Sequence, residues 1–168
     1  MSGRGTRALD AVRGAGVAHV EHEYEAGGVA ATGDRDRRPQ YGAEAAAALG
    51  VDPERVLKTL IAEVDGRLVA AVVPVAGELD FKALATALDA RRAVLAEPAA
   101  AERATGYVVG GISPLGGRRA LPTVVDASVR AHATVFVSAG RRGLQLELAP
   151  GDLVALVGAR VAPIARRT

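Results

Sequence analysis

The alternation of apolar and polar positions is clearest in the middle of the chain. Residues 56–64 and 67–75 are two apolar-rich runs that flank Asp65-Gly66, a pair typical of the tight turn of a β-hairpin. Both faces of the run 56–64 are mostly apolar, as expected of a strand that is buried on both sides. We therefore predict a buried hairpin here.

Helical and extended segments alternate along the rest of the chain. Capping residues and apolar periodicity predict helices over 6–13, 41–49, 81–89, 98–105, 127–131 and 152–158. Short β-rich runs predict strands over 17–24, 93–96, 121–126, 133–138, 143–148 and 160–164, and a strand from Tyr107 that runs into a glycine-bracketed turn. This interleaving predicts an α+β fold in which helices pack against one mixed sheet.

Length and apolar runs indicate a single cytoplasmic domain. We assign residues 1–168 to one domain, because this length suffices for one core. Residues 25–40 are rich in glycine and charge and lack periodicity, which predicts a long loop or lid. No apolar run approaches the roughly 18 residues of a membrane span, and the N-terminus lacks the apolar stretch of a signal peptide. We expect no membrane partner.

The composition limits the chemistry that the protein can use. The sequence contains no cysteine, which excludes disulfides, thiolate metal sites and a cysteine nucleophile. The three histidines, His19, His22 and His132, are not spaced as metal ligands. We therefore expect neither a metal ion nor another cofactor.

Arginine dominates the basic residues. The formal net charge is only +2, yet nineteen of the twenty-one basic side chains are arginine. Adjacent arginine pairs lie at 37/38, 91/92, 118/119, 141/142 and 166/167. Such pairs can bind phosphates that are spread over a large ligand, although a solvated surface is the simpler explanation of any one pair.

Lys58 is the most informative single residue, because it lies inside the run 56–64. Burying an unpaired ammonium is costly, so this side chain must meet a partner or open into a cleft that a ligand fills. A lysine in a chain where nineteen of the twenty-one basic residues are arginine also indicates that a compact point charge is required. The alternative is a lysine that reaches solvent from the end of a strand.

Two glycine-containing turns are candidates for the rest of a site. Gly110-Gly111 allows the backbone to approach a ligand and to direct N–H groups at a developing oxyanion, and Ser138 ends a strand before a similar turn. A bulge or a tight turn explains the double glycine equally well. The segment before Lys58-Thr59 lacks the glycines of a phosphate-binding loop, and 111–115 lacks the second glycine of a nucleophile elbow, so we exclude both motifs.

Six segments together resemble the YbaK family of aminoacyl-tRNA deacylases, in the same order and at family-like spacing. They are VLKTL, VAAVVPVAGELDFKALA, ERATGYVVGGISPLG, LPTVVD, VFVSAGRRGLQLEL and PGDL, and the resemblance spans most of residues 45–168. That family is similar to the editing domain inserted in bacterial prolyl-tRNA synthetases. The resemblance implies a barrel-like mixed sheet flanked by helices, and hydrolysis of the ester of mischarged tRNA, typically Cys-tRNA(Pro).

The resemblance also implies roles for individual residues. Catalytic roles fall on Lys58, Thr59, the backbone donor Gly110, Ser138 and Tyr24. We assign substrate binding to two groups, namely Gly111, Ile112 and Ser113 in the glycine loop and the pair Arg141 and Arg142. An ammonium and a backbone N–H can stabilise an oxyanion without a catalytic triad or a metal.

Mischarged tRNA is the expected partner, with prolyl-tRNA synthetase as a second one, and we expect a monomer or a weak homodimer. Two alternatives remain: an Ala-tRNA(Pro) deacylase of the same fold, and a non-catalytic module that binds an aminoacyl group or a nucleotide. The nucleophile is either a positioned water or, for a cysteinyl substrate, the thiol of the substrate itself. A thiol-assisted reaction would class the enzyme as a lyase.

Overall fold

A computed structural model of the chain describes residues 5–26 and 41–167. The α-helices in these ranges are α1 (Arg7–Ala15), α2 (Tyr41–Leu49), α3 (Phe81–Ala87), α4 (Pro98–Thr105) and α5 (Pro150–Val157), and a short 3-10 helix covers Ala127–Ala131. The strands are β1 (His19–Glu23), β2 (Leu57–Val64), β3 (Arg67–Pro74), β4 (Gly77–Leu79), β5 (Ala93–Leu95), β6 (Thr123–Asp126), β7 (Val135–Ser138), β8 (Leu144–Leu148), β9 (Arg160–Ala162) and β10 (Ala165–Arg167).

The predicted hairpin is confirmed and forms the middle of the largest sheet. Strands β2 and β3 pair antiparallel, with Val64 opposite Arg67 across the tight turn. They are inner strands of a five-stranded sheet in the order β5-β2-β3-β6-β9, in which β6 is parallel to both β3 and β9. A second sheet has the order β1-β8-β7, and β4 pairs with β10.

The α+β class is confirmed, but the strands form three sheets where one barrel-like mixed sheet was expected. Over the described ranges they do not close into a barrel. The outer edge of β2 is hydrogen-bonded to β5 at Ala62–Val64, and its approach to β7 consists of one parallel bridge between Val56 and Phe136. Pairing along that edge is therefore discontinuous, and side-chain packing joins the first two sheets.

The strand predicted from Tyr107 is wrong, because residues 107–117 form a series of turns. The N–H of Gly111 donates to the carbonyl oxygen of Val108 at 2.8 Å and closes one of them. Val108 and Val109 are 73% and 45% exposed, so these β-branched residues lack the packed surface that favours a strand. The predicted lid over 25–40 lies outside the described residues, apart from its first two positions.

The residues of β2 alternate between two apolar faces. Val56, just before β2, packs with Phe136 and with Ala45 of α2. Leu57 packs in the larger core on the other side, and Ile61 packs near α4. We call the side of Val56 the α2 face and the side of Leu57 the opposite face.

A buried carboxylate connects the end of β6 to the segment between β9 and β10. Asp126 is 4% exposed, and one of its oxygens accepts the N–H groups of Ile164 and Ala165, both at 2.9 Å. The other oxygen accepts the N–H and the hydroxyl of Ser128. Burial raises the pKa of Asp126, but these hydrogen bonds together outweigh it and hold the pKa below its ordinary value.

Candidate active site

Lys58 and Ser138 occupy matching positions on neighbouring strands. Val56 and Phe136 form the parallel bridge, and both side chains pack on the α2 face. Two residues further along each strand come Lys58 and Ser138, whose side chains project to that same face because strand residues alternate. Lys58 lies opposite Val73 and is half-buried. The α2 face therefore carries this ammonium next to the end of β7.

The loop 107–117 brings its two glycines against α2 and the turn after β7. Gly110 has a φ of +100°, and a Cβ there would lie 3.0 Å from the Tyr41 ring. A Cβ on Gly111 would lie 2.7 Å from the Cα of Arg141. Neither position has room for a side chain, so the close packing of this loop requires both glycines.

The backbone N–H groups of the two glycines differ in their use. The N–H of Gly111 is occupied by the carbonyl of Val108, as described above. Within residues 5–26 and 41–167, the N–H of Gly110 donates to no protein acceptor. Gly110 can therefore offer its N–H to a bound group.

Ser138 holds the glycine loop through its hydroxyl. Its Oγ donates to the carbonyl oxygen of Gly111 at 3.0 Å and accepts the N–H of Gly140 at 3.2 Å. Because the hydroxyl proton is already used in this bond, the geometry suits a positioning role better than that of a nucleophile. The hydroxyl links the end of β7 to the backbone next to Gly110.

Arg142 braces Tyr41 against the loop. Its guanidinium lies 4.7 Å from the centroid of the Tyr41 ring and forms an ion pair with Glu44 at 2.9 Å. The Glu44 side chain is only 10% exposed, whereas that of Arg142 is 33% exposed. The charge of Arg142 is therefore balanced beside Gly110, on the side where α2 begins.

Tyr24 and Arg141 lie at the edge of the same group. The backbone N–H of Tyr24 donates to the carbonyl of Gly143 at 2.9 Å, and its ring packs on the α2 face with Val56. Arg141 is more exposed and meets Glu23 at 3.5 Å. Both residues frame the turn between β7 and β8.

Three of the sequence-predicted residues lie on the opposite face. Thr59 follows Lys58 and so points away from the α2 face, and Ile112 packs against the clusters of that opposite face. Ser113 is buried, accepts the N–H of Leu115 at 3.2 Å, and lines a cleft of about 230 Å³ together with Ile61. The structure thus divides the predicted residues between the two faces.

A further polar cluster lies on the surface formed by β1, β7 and β8. Glu147 accepts the hydroxyl of Thr134 at 2.6 Å and contacts His22 at 2.9 Å and Arg55 at 3.3 Å. The Thr134 hydrogen bond is the largest cause that holds the pKa of Glu147 below its ordinary value, with burial acting against it and His22 adding to it. In the described ranges, no group of three or more histidines and carboxylates could hold a metal ion.

Sequence reasoning missed Tyr41 and Glu44 as parts of the site. Tyr41 is one of three tyrosines in the chain, and Glu44 is the only charged residue of the alanine-rich segment 41–49. An aromatic and a carboxylate three positions apart share one side of a helix. That spacing was a usable signal, but the sequence did not show which loop they would meet.

The arrangement can polarise a carbonyl group. The ammonium of Lys58 and the N–H of Gly110 are hydrogen-bond donors, and the residues around Gly110 are fixed by Ser138, Tyr41 and Arg142. Donors that are already positioned stabilise negative charge on an oxygen without reorganising during the reaction. Such a site is suited to acyl transfer or ester hydrolysis.

No helix among the described residues is long and apolar enough to cross a membrane.

Comparison with known sequences agrees with a site for acyl transfer or ester hydrolysis. A family profile described as an aminoacyl-tRNA editing domain matches residues 40–156, which include every candidate residue except Tyr24. Over 121 residues the chain is 36% identical to EbsC of Enterococcus faecalis, named as a candidate Cys-tRNA(Pro)/Cys-tRNA(Cys) deacylase, and the match covers 71% of this chain and 73% of that protein.

Two further proteins are similar over part or all of the chain. The proline–tRNA ligase of Moorella thermoacetica is 36% identical over 104 residues, which are 62% of this chain but only 18% of the ligase. The crystal structure of a candidate trans-editing enzyme for prolyl-tRNA synthetase superposes with a TM-score of 0.79 at 23% identity, over 95% of each chain, and so shares the fold. The profile spans most of this sequence, and the resemblance to YbaK deacylases is confirmed: the chain belongs to the aminoacyl-tRNA editing domain family.

Proposed function

We propose that this chain hydrolyses the ester bond of mischarged tRNA in trans, and that Cys-tRNA(Pro) is its substrate. Membership of the editing-domain family supports the deacylase activity, and the name of the E. faecalis relative supports the cysteinyl group. The observation that carries the proposal is the position of Lys58 on the α2 face, where Tyr41 of α2 packs against Gly110. This supplies two oxyanion donors inside the segment that matches the family.

Lys58 and Gly110 act in this proposal on the carbonyl oxygen of the ester. A nucleophile adds to the carbonyl carbon, the oxygen becomes an oxyanion, and the bond to the ribose oxygen of the terminal nucleotide then breaks. An ammonium and an N–H directed at this oxygen bind the oxyanion more strongly than the neutral carbonyl, and this difference lowers the barrier. Ser138 keeps the loop in place during the reaction.

Two groups can act as the nucleophile. A water that adds to the ester releases the free amino acid, and its proton passes to the leaving ribose oxygen. The thiol of a cysteinyl substrate can instead add to its own carbonyl, with the thiol proton ending on that same oxygen. An enzyme that depends on the substrate thiol cannot release alanine, so the choice of substrate distinguishes the two reactions.

The test compares three substrates under single-turnover conditions. Purified protein is incubated with tRNA(Pro) charged with cysteine, alanine or proline, and the remaining ester is followed over time. We expect rapid loss of Cys-tRNA(Pro), slower loss of Ala-tRNA(Pro) and stability of Pro-tRNA(Pro). Rapid loss of alanine alone would reassign the substrate to Ala-tRNA(Pro), and no loss of any ester would indicate a binding module without catalysis.

The remaining functional assignments rest on the same proposal. We propose a single-domain cytoplasmic protein, monomeric or weakly dimeric, that acts without a metal or another cofactor. Mischarged tRNA is its main partner. Prolyl-tRNA synthetase is the second, since a ligase of that kind contains a segment similar to this chain.

A further inference from the structure

Three exposed arginines lie around an open cleft next to the glycine loop. The cleft has a volume of about 430 Å³, and its lining includes Arg103 and Arg118. Arg7 is exposed as well, and its guanidinium lies against Gly106, which also lines the cleft. We call this group, made of Arg7, Arg103 and Arg118, the arginine cleft.

Three separate segments of the chain build the arginine cleft. The guanidinium nitrogens of Arg7, in α1, lie 2.9 and 3.0 Å from the position that a Cβ would take on Gly106. Gly106 ends α4, whose last turn carries Arg103. The backbone N–H of Arg118 donates to the carbonyl of Thr105 at 2.9 Å, which fixes the third segment beside that turn. The three charges are thus brought together by the fold, not by sequence proximity.

The positive charge of the arginine cleft is not balanced by ion pairs. Among the described residues, no carboxylate oxygen lies within ion-pair distance of any of the three guanidinium groups. Glu102 also lines the cleft, and its carboxylate accepts the N–H of Val109 at 2.8 Å; its single negative charge offsets only part of the charge of the three arginines. Exposed guanidinium groups that lie together without ion-pair partners, and with an excess of positive charge, favour a ligand with several negative charges.

The cleft is also next to the proposed reaction site. Val108 belongs to its lining, and Gly110 lies two residues further along the same loop. Val108 and Val109 are the exposed apolar residues between the two. Contiguous exposed apolar surface beside a charged cleft marks a binding surface. A ligand bound by the arginines would therefore reach Gly110 along the surface of Val108 and Val109.

We propose that the arginine cleft binds the phosphate backbone of the tRNA next to its aminoacylated 3′ end. This inference rests on the proposed function, because it assumes that the ester lies at Gly110. The nucleotides that precede the ester must then cross the surface beside loop 107–117. Arginine forms bidentate hydrogen bonds with phosphate and is suited to this contact. Arg141 and Arg142 are less suited, because Glu23 and Glu44 balance their charges.

The test uses the double variant Arg103→Gln/Arg118→Gln and uncharged tRNA(Pro) as the probe. Binding is measured by fluorescence anisotropy over a series of KCl concentrations. We expect about tenfold or more weaker binding at low salt, and a slope of log affinity against log salt that is reduced by about 1.5, since each lost phosphate contact contributes roughly 0.7 to 0.9. The single variant Arg118→Gln should lower the slope by about half as much.

The matched control is Arg91→Gln/Arg92→Gln, which removes the same charge from an exposed arginine pair outside the cleft. It should bind tRNA within about twofold of the unmodified protein, since long-range charge effects are screened by salt. Equal weakening by both double variants would show that only the net charge matters. Unchanged binding by Arg103→Gln/Arg118→Gln would show that the cleft does not contact tRNA. Either result overturns the inference.

A small substrate separates this inference from the proposed function. Cysteinyl adenosine, an ester that carries the terminal nucleoside but no phosphate backbone, should be hydrolysed equally by the unmodified protein and by Arg103→Gln/Arg118→Gln. If the unmodified protein hydrolyses neither this ester nor Cys-tRNA(Pro), the proposed function fails. If it hydrolyses Cys-tRNA(Pro) while the cleft variants bind tRNA normally, only the inference about the cleft fails.

Discussion

Glu44 and Arg142 form a double hydrogen bond that fixes the wall of the candidate site. The Nε and an Nη of Arg142 donate to the Glu44 carboxylate at 3.1 and 2.9 Å. The same guanidinium stacks on Tyr41, whose ring fills the space above Gly110. A carboxylate in α2 thus sets the position of an aromatic ring and, through it, of the loop that offers the oxyanion donor.

Replacement of Glu44 by Gln should weaken both stability and activity. The change removes the negative charge and leaves the half-buried Arg142 with one acceptor oxygen. We expect the unfolding free energy to fall by about 1–2 kcal/mol, a figure that already allows for solvent screening of the partly exposed Arg142. Deacylation should fall more than stability alone explains, because Tyr41 loses its support. Urea unfolding and single-turnover deacylation of Cys-tRNA(Pro) measure the two effects.

A surface ion pair provides the control for Glu44→Gln. Glu54 and Arg167 meet at 2.8 Å, but their side chains are 34% and 49% exposed. Glu54→Gln should change the unfolding free energy by less than about 0.5 kcal/mol and leave deacylation unaltered. Equal behaviour of the two variants would show that the Glu44–Arg142 pair has no special part in the site.

The sequence predicted the parts of the fold that have strong local signals. The hairpin around Asp65 and Gly66 was recognisable from its turn and its apolar runs, and the structure confirms it. Strands β4 and β10 were missed because they exist through pairing with each other, a contact between distant segments that no local pattern shows. Val108 and Val109 suggested a strand by propensity, but no strand in the part of the chain that the structure describes pairs with them.

The site was predictable in its backbone positions and less so in its side-chain contacts. A lysine in an apolar strand and a double glycine are unusual enough to be seen without a structure. The partners of Arg142 were not, because they depend on how α2 packs over β2 and β7. The arginine cleft likewise joins α1, α4 and the segment after the loop, which are far apart along the chain.

Thr59 offers a test of the division between the two faces. Its Oγ1 is buried and has no hydrogen-bond partner among the described residues. A buried hydroxyl without a partner destabilises the folded state, and valine has a methyl group in its place. Thr59→Val should therefore raise the unfolding free energy by about 1 kcal/mol. Deacylation should stay within about threefold, because the side chain points away from Lys58.

Thr123→Val is the matched control for Thr59→Val. Thr123 is also nearly buried, but its hydroxyl donates to the carbonyl of Leu121 at 3.0 Å. Its replacement should lower the unfolding free energy by about 1 kcal/mol, the opposite sign. A large loss of deacylation in a stable Thr59→Val protein would return Thr59 to the catalytic group that the family resemblance implies.

Asp126 should make the stability of the protein sensitive to acid. Its folded-state pKa lies below the ordinary value of 3.8, so the carboxylate stabilises the fold above that value. The contribution begins to fall as the pH approaches 3.8 and is lost as the pH falls further, through the depressed folded pKa. Asp126→Asn should cost about 1–3 kcal/mol at neutral pH and flatten this part of the pH profile.

The pH profile is measured by urea unfolding at a series of pH values. Glu63→Gln, at an exposed position of β2, should leave the profile parallel to that of the unmodified protein. If the difference between Asp126→Asn and the unmodified protein stayed constant from pH 7 to pH 2.5, the carboxylate would not be the titrating group.

Lys58 distinguishes a positioned charge from a cation that only covers the surface. Lys58→Ala should abolish deacylation, because the oxyanion loses its charged donor. Lys58→Arg keeps the positive charge but replaces a compact ammonium with a wide planar group, which the half-buried α2 face should not hold at the same place. We expect this variant to fold and to be nearly inactive, at least about a hundredfold below the unmodified protein in single-turnover rate.

Lys82→Arg, on an exposed position of α3, is the control for Lys58→Arg and should be fully active. Thermal unfolding of each variant separates loss of activity from loss of fold, and near-normal turnover by a folded Lys58→Arg protein would remove Lys58 from the centre of the site.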